Sequence, residues 1–337
     1  MVRLLSHLGY LNTEERSSFE QLVKALPSII AEAEYSEVYG HPLDGETRIN
    51  ESKDEDVLSP EITKELLIRD RLLLKFLKAN LFSFEESKKQ LTETLIWRKE
   101  FKPLSAAIEE THAADLDKLG IITTFKDPQF NNQERVVTWN LYGAVKNRQE
   151  LFSRLDQFLR WRVSLMERGL ALLKFDYADE TEKDLAYMTQ LHDYNNVSFL
   201  RLDAATKAAS KSTIEMFQKY YPEILDKKYF VNVPILMGWI FSVVKVFLAP
   251  ETVAKFNVLS WGSEVANSLG DWVPEVYGGK ETRSLQELNH AEIINPPAWS
   301  SVKSSKEKVQ EKTETEQKPQ PHPTEITPTE AVQTIKN

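Results

Sequence analysis

The apolar run at residues 235–248 limits the possible folds more sharply than any other stretch: Ile235, Leu236, Met237, Trp239, Ile240, Phe241, Val243, Val244, Val246 and Phe247 leave a helix there with hardly any polar face. Such a helix is buried all round or meets something apolar on both sides. A membrane-spanning helix needs about 20 apolar residues. Residues 233–250 fall short of that, contain Lys245 and are bracketed by Pro234 and Pro250, so the chain is expected not to span a membrane. Two readings stay open. One is a central core helix; the other is a movable helix, its ends fixed by the prolines, that seals a pocket and touches lipid with the same surface when it opens.

A chain of 337 residues can bury a substantial core, and 41 % hydrophobic with 10 % aromatic residues is ordinary globular composition, which predicts one main domain with appendages. Lys and Arg number 42 against 51 Asp and Glu, a formal charge of -9 that argues against a nucleic-acid partner bound by bulk electrostatics. The chain has no cysteine, which excludes disulfides, zinc-thiolate sites and cysteine nucleophiles and fits a reducing compartment. Residues 1–10 lack the apolar core of a secretory signal, so a cytoplasmic protein is expected.

No common catalytic class is expected either. Gly278-Gly279-Lys280-Glu281 lacks the spacing and the hydroxyl of a phosphate-binding P-loop, and neither a Gly-x-Ser-x-Gly elbow nor a His-Glu-x-x-His helix occurs.

Ser17 and Glu20 read as a capping box opening a helix that runs to Pro27, with Phe19, Leu22, Val23 and Leu26 on one face. Residues 43–59 are polar and acidic. Ser59-Pro60 opens a second helix, and Ser83 with Glu86 caps a third through Trp97. From Arg135 strand and helix alternate: strands at 136–139, 187–194, 229–233 and 256–259, helices at 150–173, 204–220 and 235–248. That alternation predicts an α/β fold with a mixed, largely parallel sheet. The expected divisions are 1–58, an N-terminal helix and acidic loop; 59–134, a helical bundle and connection; 135–295, a ligand-binding domain; and 296–337, a disordered tail rich in Lys, Glu, Thr, Gln and Pro.

Several blocks carry a family resemblance: the run from Asp70 and Arg71 through Lys75 and Phe76 to Lys78 and Ala79, Trp97-Arg98, Tyr221-Pro222-Glu223, Phe230-Val231-Asn232-Val233-Pro234, Phe247-Leu248-Ala249-Pro250-Glu251-Thr252 and Pro274-Glu275-Val276-Tyr277-Gly278-Gly279. In order and spacing over roughly residues 60–282 they resemble the CRAL-TRIO lipid-transfer family. That resemblance implies a helical N-terminal bundle followed by an α/β domain with a hydrophobic pocket, gated by a helix at residues 235–248 that makes transient membrane contact. It also implies non-enzymatic phosphatidylinositol transfer, with the headgroup held by Glu223, Thr252 and Lys255, and peripheral association with endoplasmic reticulum or microsomal membranes. The chemistry fits: a lysine neutralises a lipid phosphate, and a carboxylate accepts hydrogen bonds from inositol hydroxyls.

Trp139-Asn140-Leu141-Tyr142-Gly143, Met188-Thr189-Gln190 with His192-Asp193-Tyr194, and Phe217-Gln218-Lys219-Tyr220-Tyr221-Pro222 look like a fungal, Sec-fourteen-like branch of these proteins whose members bind haem. The resemblance implies haem b with Tyr194 as the axial iron ligand, His192 beside it, and further contacts from Tyr142, Arg162 and Lys228. On a strand Met188, Gln190, His192 and Tyr194 share one face, so His192 and Tyr194 project together. A tyrosine phenolate is a known axial ligand of haem iron, and Arg162 and Lys228 suit propionates. The alternative is a dedicated haem-binding protein with a redox or sensing role and no lipid transfer. One departure stands out: Asn195-Asn196 follows Tyr194 where relatives commonly show Lys-Gly, and asparagine tolerates a left-handed backbone.

Overall fold

The amino-terminal helix, α1 (Thr13–Ala33), starts earlier than Ser17. Asn12 and Glu15 form the capping box, while Ser17 lies inside the helix and its Oγ accepts a hydrogen bond from Gln21 Nε2 at 3.2 Å. Pro27 does not end it either. Proline stands on the exposed side of the helix, where the carbonyl it leaves unbonded need not be buried. The computed structural model describes residues 11–44, 60–127, 132–145, 147–176, 186–197, 204–234 and 250–290, all within the first of two units, Met1–Pro297. The apolar segment 235–248, the tail from residue 296 and the acidic loop after Asp44 lie outside the described residues.

A two-residue hairpin, β1 (Glu37–Val38) and β2 (His41–Pro42), follows α1. Helix α2 (Pro60–Ala79) and helix α3 (Phe84–Phe101, capped by Ser83 Oγ on Glu86 N) complete the helical layer, with short helices α4 (Pro103–Ile108) and α5 (Ala114–Asp117) after them. Leu22, Leu26 and Ile29 of α1 meet Leu73, Phe76 and Leu77 of α2 and Leu91 and Leu95 of α3 in one core, all of them 0–2 % exposed. Each such burial is worth about 1.5–3 kcal/mol.

Five strands make the main sheet in the order β3-β4-β5-β6-β7: β3 (Gly120–Asp127), β4 (Gln133–Leu141), β5 (Met188–Asp193), β6 (Leu225–Val231) and β7 (Phe256–Leu259). β4 to β7 are parallel, as the strand and helix alternation predicts. β3, unmarked in the sequence reading, pairs antiparallel with β4 at the edge. The single helix expected at 150–173 is two, α6 (Arg148–Ser153) and α7 (Leu155–Leu170). Asn147 caps the first through Glu150 N, and Arg154, at φ -97° and ψ 53°, breaks the run. Helix α8 (Ala204–Tyr220) lies between β5 and β6, and the short helices α9 (Pro250–Ala254) and α10 (Val265–Leu269) flank β7.

Strand alternation divides the sheet. Ile121, Val137, Trp139, Leu191, Tyr229 and Val231 pack on Val265, Val273, Tyr277 and Leu285, while Ile122, Val136 and Met188 face α7 and the helical layer. On the second face the register places Asn140 opposite His192, and His192 opposite Phe230. That row ends at a cavity.

Candidate functional site

The cavity has a volume of about 620 Å³, within the usual range for ligand pockets. Its floor is the carboxyl end of the sheet, supplied by Gln190, His192 and Tyr194 from β5 and the residue after it, and by Lys228 and Phe230 from β6. Phe152, Phe158 and Met166 of α6 and α7 and Phe217 of α8 form apolar walls. All eight residues singled out from the sequence, Tyr142, Arg162, His192, Tyr194, Glu223, Lys228, Thr252 and Lys255, line this one space.

Two polar groups of different character emerge. Tyr142, His192, Tyr194 and Phe230 form an aromatic cluster: the Tyr142 ring meets His192 edge-on at 5.4 Å and Tyr194 at 5.7 Å, and Tyr194 stacks on Phe230 at 6.4 Å. His192 is 6 % exposed and its Nε2 has no hydrogen-bond partner; Arg162 is 3 % exposed and its Nε has none. The guanidinium of Arg162 donates to the Asn140 side chain and packs over Phe217. The Lys228 ammonium sits 5.6 Å from the Phe230 ring and 5.8 Å from Phe256, with no carboxylate partner among the described residues.

The charges follow from that setting. Burial, and then the repulsion of Arg162, lowers the Lys228 pKa to about 7. Burial, then Lys228 and Arg162, holds His192 well below the ordinary imidazole value, so the ring is neutral. Burial also raises both the Tyr142 and Tyr194 phenols, which are protonated at neutral pH. Among the described residues no three His, Asp or Glu side chains gather as a metal site. A metal here would have to be held by the phenol and imidazole donors.

The second group lies where β6 begins. Glu223 Oε2 accepts from Lys255 Nζ at 3.1 Å, and both side chains are about a quarter exposed. Thr252, on α9, precedes Lys255 by three residues, and Lys255 N donates to its carbonyl at 3.2 Å. Glu223 adopts φ +50°, a left-handed conformation that costs a residue with a side chain.

Asp193, on the opposite face from His192, fastens the end of β5. It accepts from Asn195 N at 2.8 Å, Asn232 Nδ2 at 2.7 Å and the Tyr277 hydroxyl at 2.7 Å. These bonds aim the strand that carries Tyr194. Alternation places Gln190 on the His192 face and names Asp193 beside it without giving either a role, while the roles of Phe230 and Asn140 become visible only through register.

A family model described as the CRAL/TRIO domain matches residues 127–279. A phosphatidylinositol transfer protein SFH5 from Kluyveromyces lactis is 42 % identical over 294 residues, covering 87 % of this chain and 91 % of the relative. Its namesake from Saccharomyces cerevisiae is 40 % identical over 290 residues, covering 86 % and 94 %. A crystal structure of Sfh5 superposes with a TM-score of 0.74 at 37 % identity over 89 % of this chain and 99 % of that one. The chain belongs to the CRAL/TRIO family and is similar to its Sec14-like fungal members.

Proposed function

We propose that the chain is a phosphatidylinositol carrier of the cytoplasm that works at the surface of the endoplasmic reticulum, meeting the membrane through residues 235–248. The family works by non-enzymatic transfer. The observation that carries the lipid reading is the Glu223–Lys255 pair with Thr252 in the wall of a cavity that Phe152, Phe158, Met166 and Phe217 make apolar on other sides: one cation for the phosphate, with a carboxylate and a hydroxyl for inositol. Relatives bearing the name phosphatidylinositol transfer protein support it. Lys255→Ala is expected to lower vesicle-to-vesicle transfer of phosphatidylinositol about tenfold or more, the scale of one lost charge-assisted hydrogen bond. Transfer equal to the parent's removes Lys255 from the headgroup site.

A second reading, haem b in the same cavity, draws on a separate observation: the unpartnered Nε2 of buried His192 beside Tyr194, with Arg162 and Lys228 near it and neither of these paired with a carboxylate among the described residues. The donor set fits ferric haem, for which phenolate ligation is known. Tyr194 would hold the iron, Tyr142 and His192 would flank it, and Arg162 and Lys228 would neutralise the propionates. Bound haem supplies a redox-active iron centre, suited to a haem-linked stress response or to sensing. Protein purified from cells with ample haem is expected to show a Soret band and stoichiometric iron, and Tyr194→Phe should shift that band more than His192→Ala. A colourless protein under these conditions counts decisively against haem.

A further inference from the structure

Lys75 is 1 % exposed, a rare fate for a lysine. Its Nζ donates to the Glu223 carbonyl at 2.8 Å and lies 3.8 Å from the centre of the Tyr187 ring. Lys255 Nζ lies 5.8 Å from that same ring and 3.1 Å from Glu223 Oε2. Glu223 is thus held twice, by its main chain from α2 and by its side chain from the residue before β7.

The double hold has a reason. At φ +50° the backbone of Glu223 sits in a region that a glutamate leaves readily unless its surroundings fix it. Core packing alone would be served better by leucine or methionine, because a buried ammonium is costly to desolvate. Lys75 is not among the residues that line the cavity, so it acts on the site through Glu223.

We infer that Lys75 is the positioning residue of the headgroup site, fixing the left-handed turn at Glu223 so that its carboxylate and Lys255 meet a polyol phosphate in one register. This rests on reading the cavity as an inositol-lipid site. Lys75 therefore governs headgroup selectivity and leaves the apolar walls that take acyl chains untouched.

The test compares binding of phosphatidylinositol and phosphatidylcholine from vesicles by the full chain, with Lys75→Met and Lys75→Arg beside it. Lys75→Met is expected to reduce the preference for the inositol lipid about tenfold, the scale of a hydrogen bond to a charged group, with choline-lipid binding unchanged. Lys75→Arg should restore most of it, which a purely structural role would not require. An unchanged preference in Lys75→Met overturns the inference. If the parent itself shows no preference, the inositol reading fails. The inference is then decided by a crystal structure of Lys75→Met, where Glu223 leaving its left-handed conformation supports it and an intact Glu223–Lys255 pair overturns it. Should Lys75→Met not fold, Lys75→Gln, which keeps a neutral donor, carries the same comparison.

Discussion

Lys228 shows how burial sets the charge of a single side chain. Its ammonium faces Arg162 and two phenylalanine rings, and burial with that repulsion brings its pKa down to about 7 from 10.5. In the unfolded chain the lysine stays protonated up to 10.5, so between about 7 and 10.5 the unfolded state binds more protons and stability rises with pH. Below about 7 the folded state carries the whole cost of the buried charge. Lys228→Met is therefore expected to melt higher than the parent at pH 6–7, with the gap closing as the pH approaches 10. Thermal melts across that range check it, and a variant less stable than the parent at pH 6 would mean that the charge is compensated. Not everything at this scale was legible in the sequence. In the Asn195-Asn196 turn Asn196 adopts the left-handed φ +64° that asparagine tolerates, and the Asn195 carbonyl sits so close to Gly143 that a Cβ there would lie 2.0 Å from it. Gly143 and Asn195 are far apart in the sequence, so only the folded chain shows why a glycine follows Tyr142.

Among the elements, the join between the helical layer and the sheet layer rests on a buried ion cluster. Arg98 of α3, fully buried, bonds Glu37 of β1 and Glu167 of α7 at 2.6 Å each, and the Tyr221 hydroxyl donates to Glu167 at 2.7 Å. Arg98→Leu leaves two buried carboxylates without a counter-charge, at a cost of about 3–5 kcal/mol. Urea melts of the parent and the variant at pH 7 test this, and equal stability of the two would refute it. The Trp97-Arg98 block was visible in the sequence, but its partners are 61 and 69 residues away, and no local pattern announces them. Elements with strong local signals were read well: helix α8 and strand β7 lie where the sequence places them. β3 was missed although Ile121, Ile122, Thr123, Thr124 and Phe125 form a β-branched and aromatic run. The strand-helix rhythm does not predict it, because an antiparallel edge strand needs only a short connection.

On the scale of the molecule, the trio of Glu223, Thr252 and Lys255 and the aromatic cluster share a single cavity of about 620 Å³. Gln190, Glu223, Lys255 and Arg162 all line it. A haem lying against Tyr194 would occupy volume that acyl chains need, since both ligands would share the one space that Phe152, Phe158 and Phe217 line. Occupation by one ligand must then weaken the other, and by linkage the two factors are equal. Haem titrated into the chain at rising concentrations of phosphatidylinositol vesicles, followed by the Soret band, is expected to show an apparent Kd that climbs in proportion to the lipid. The reciprocal titration, lipid binding at fixed haem, should return the same coupling. Tyr194→Phe is the informative control: it removes the ligand for iron while leaving Glu223, Thr252 and Lys255 in place, so lipid binding should persist and lose its sensitivity to haem. Haem affinity independent of lipid would mean that the two ligands are held side by side, and would overturn the reading of this cavity as one exclusive site.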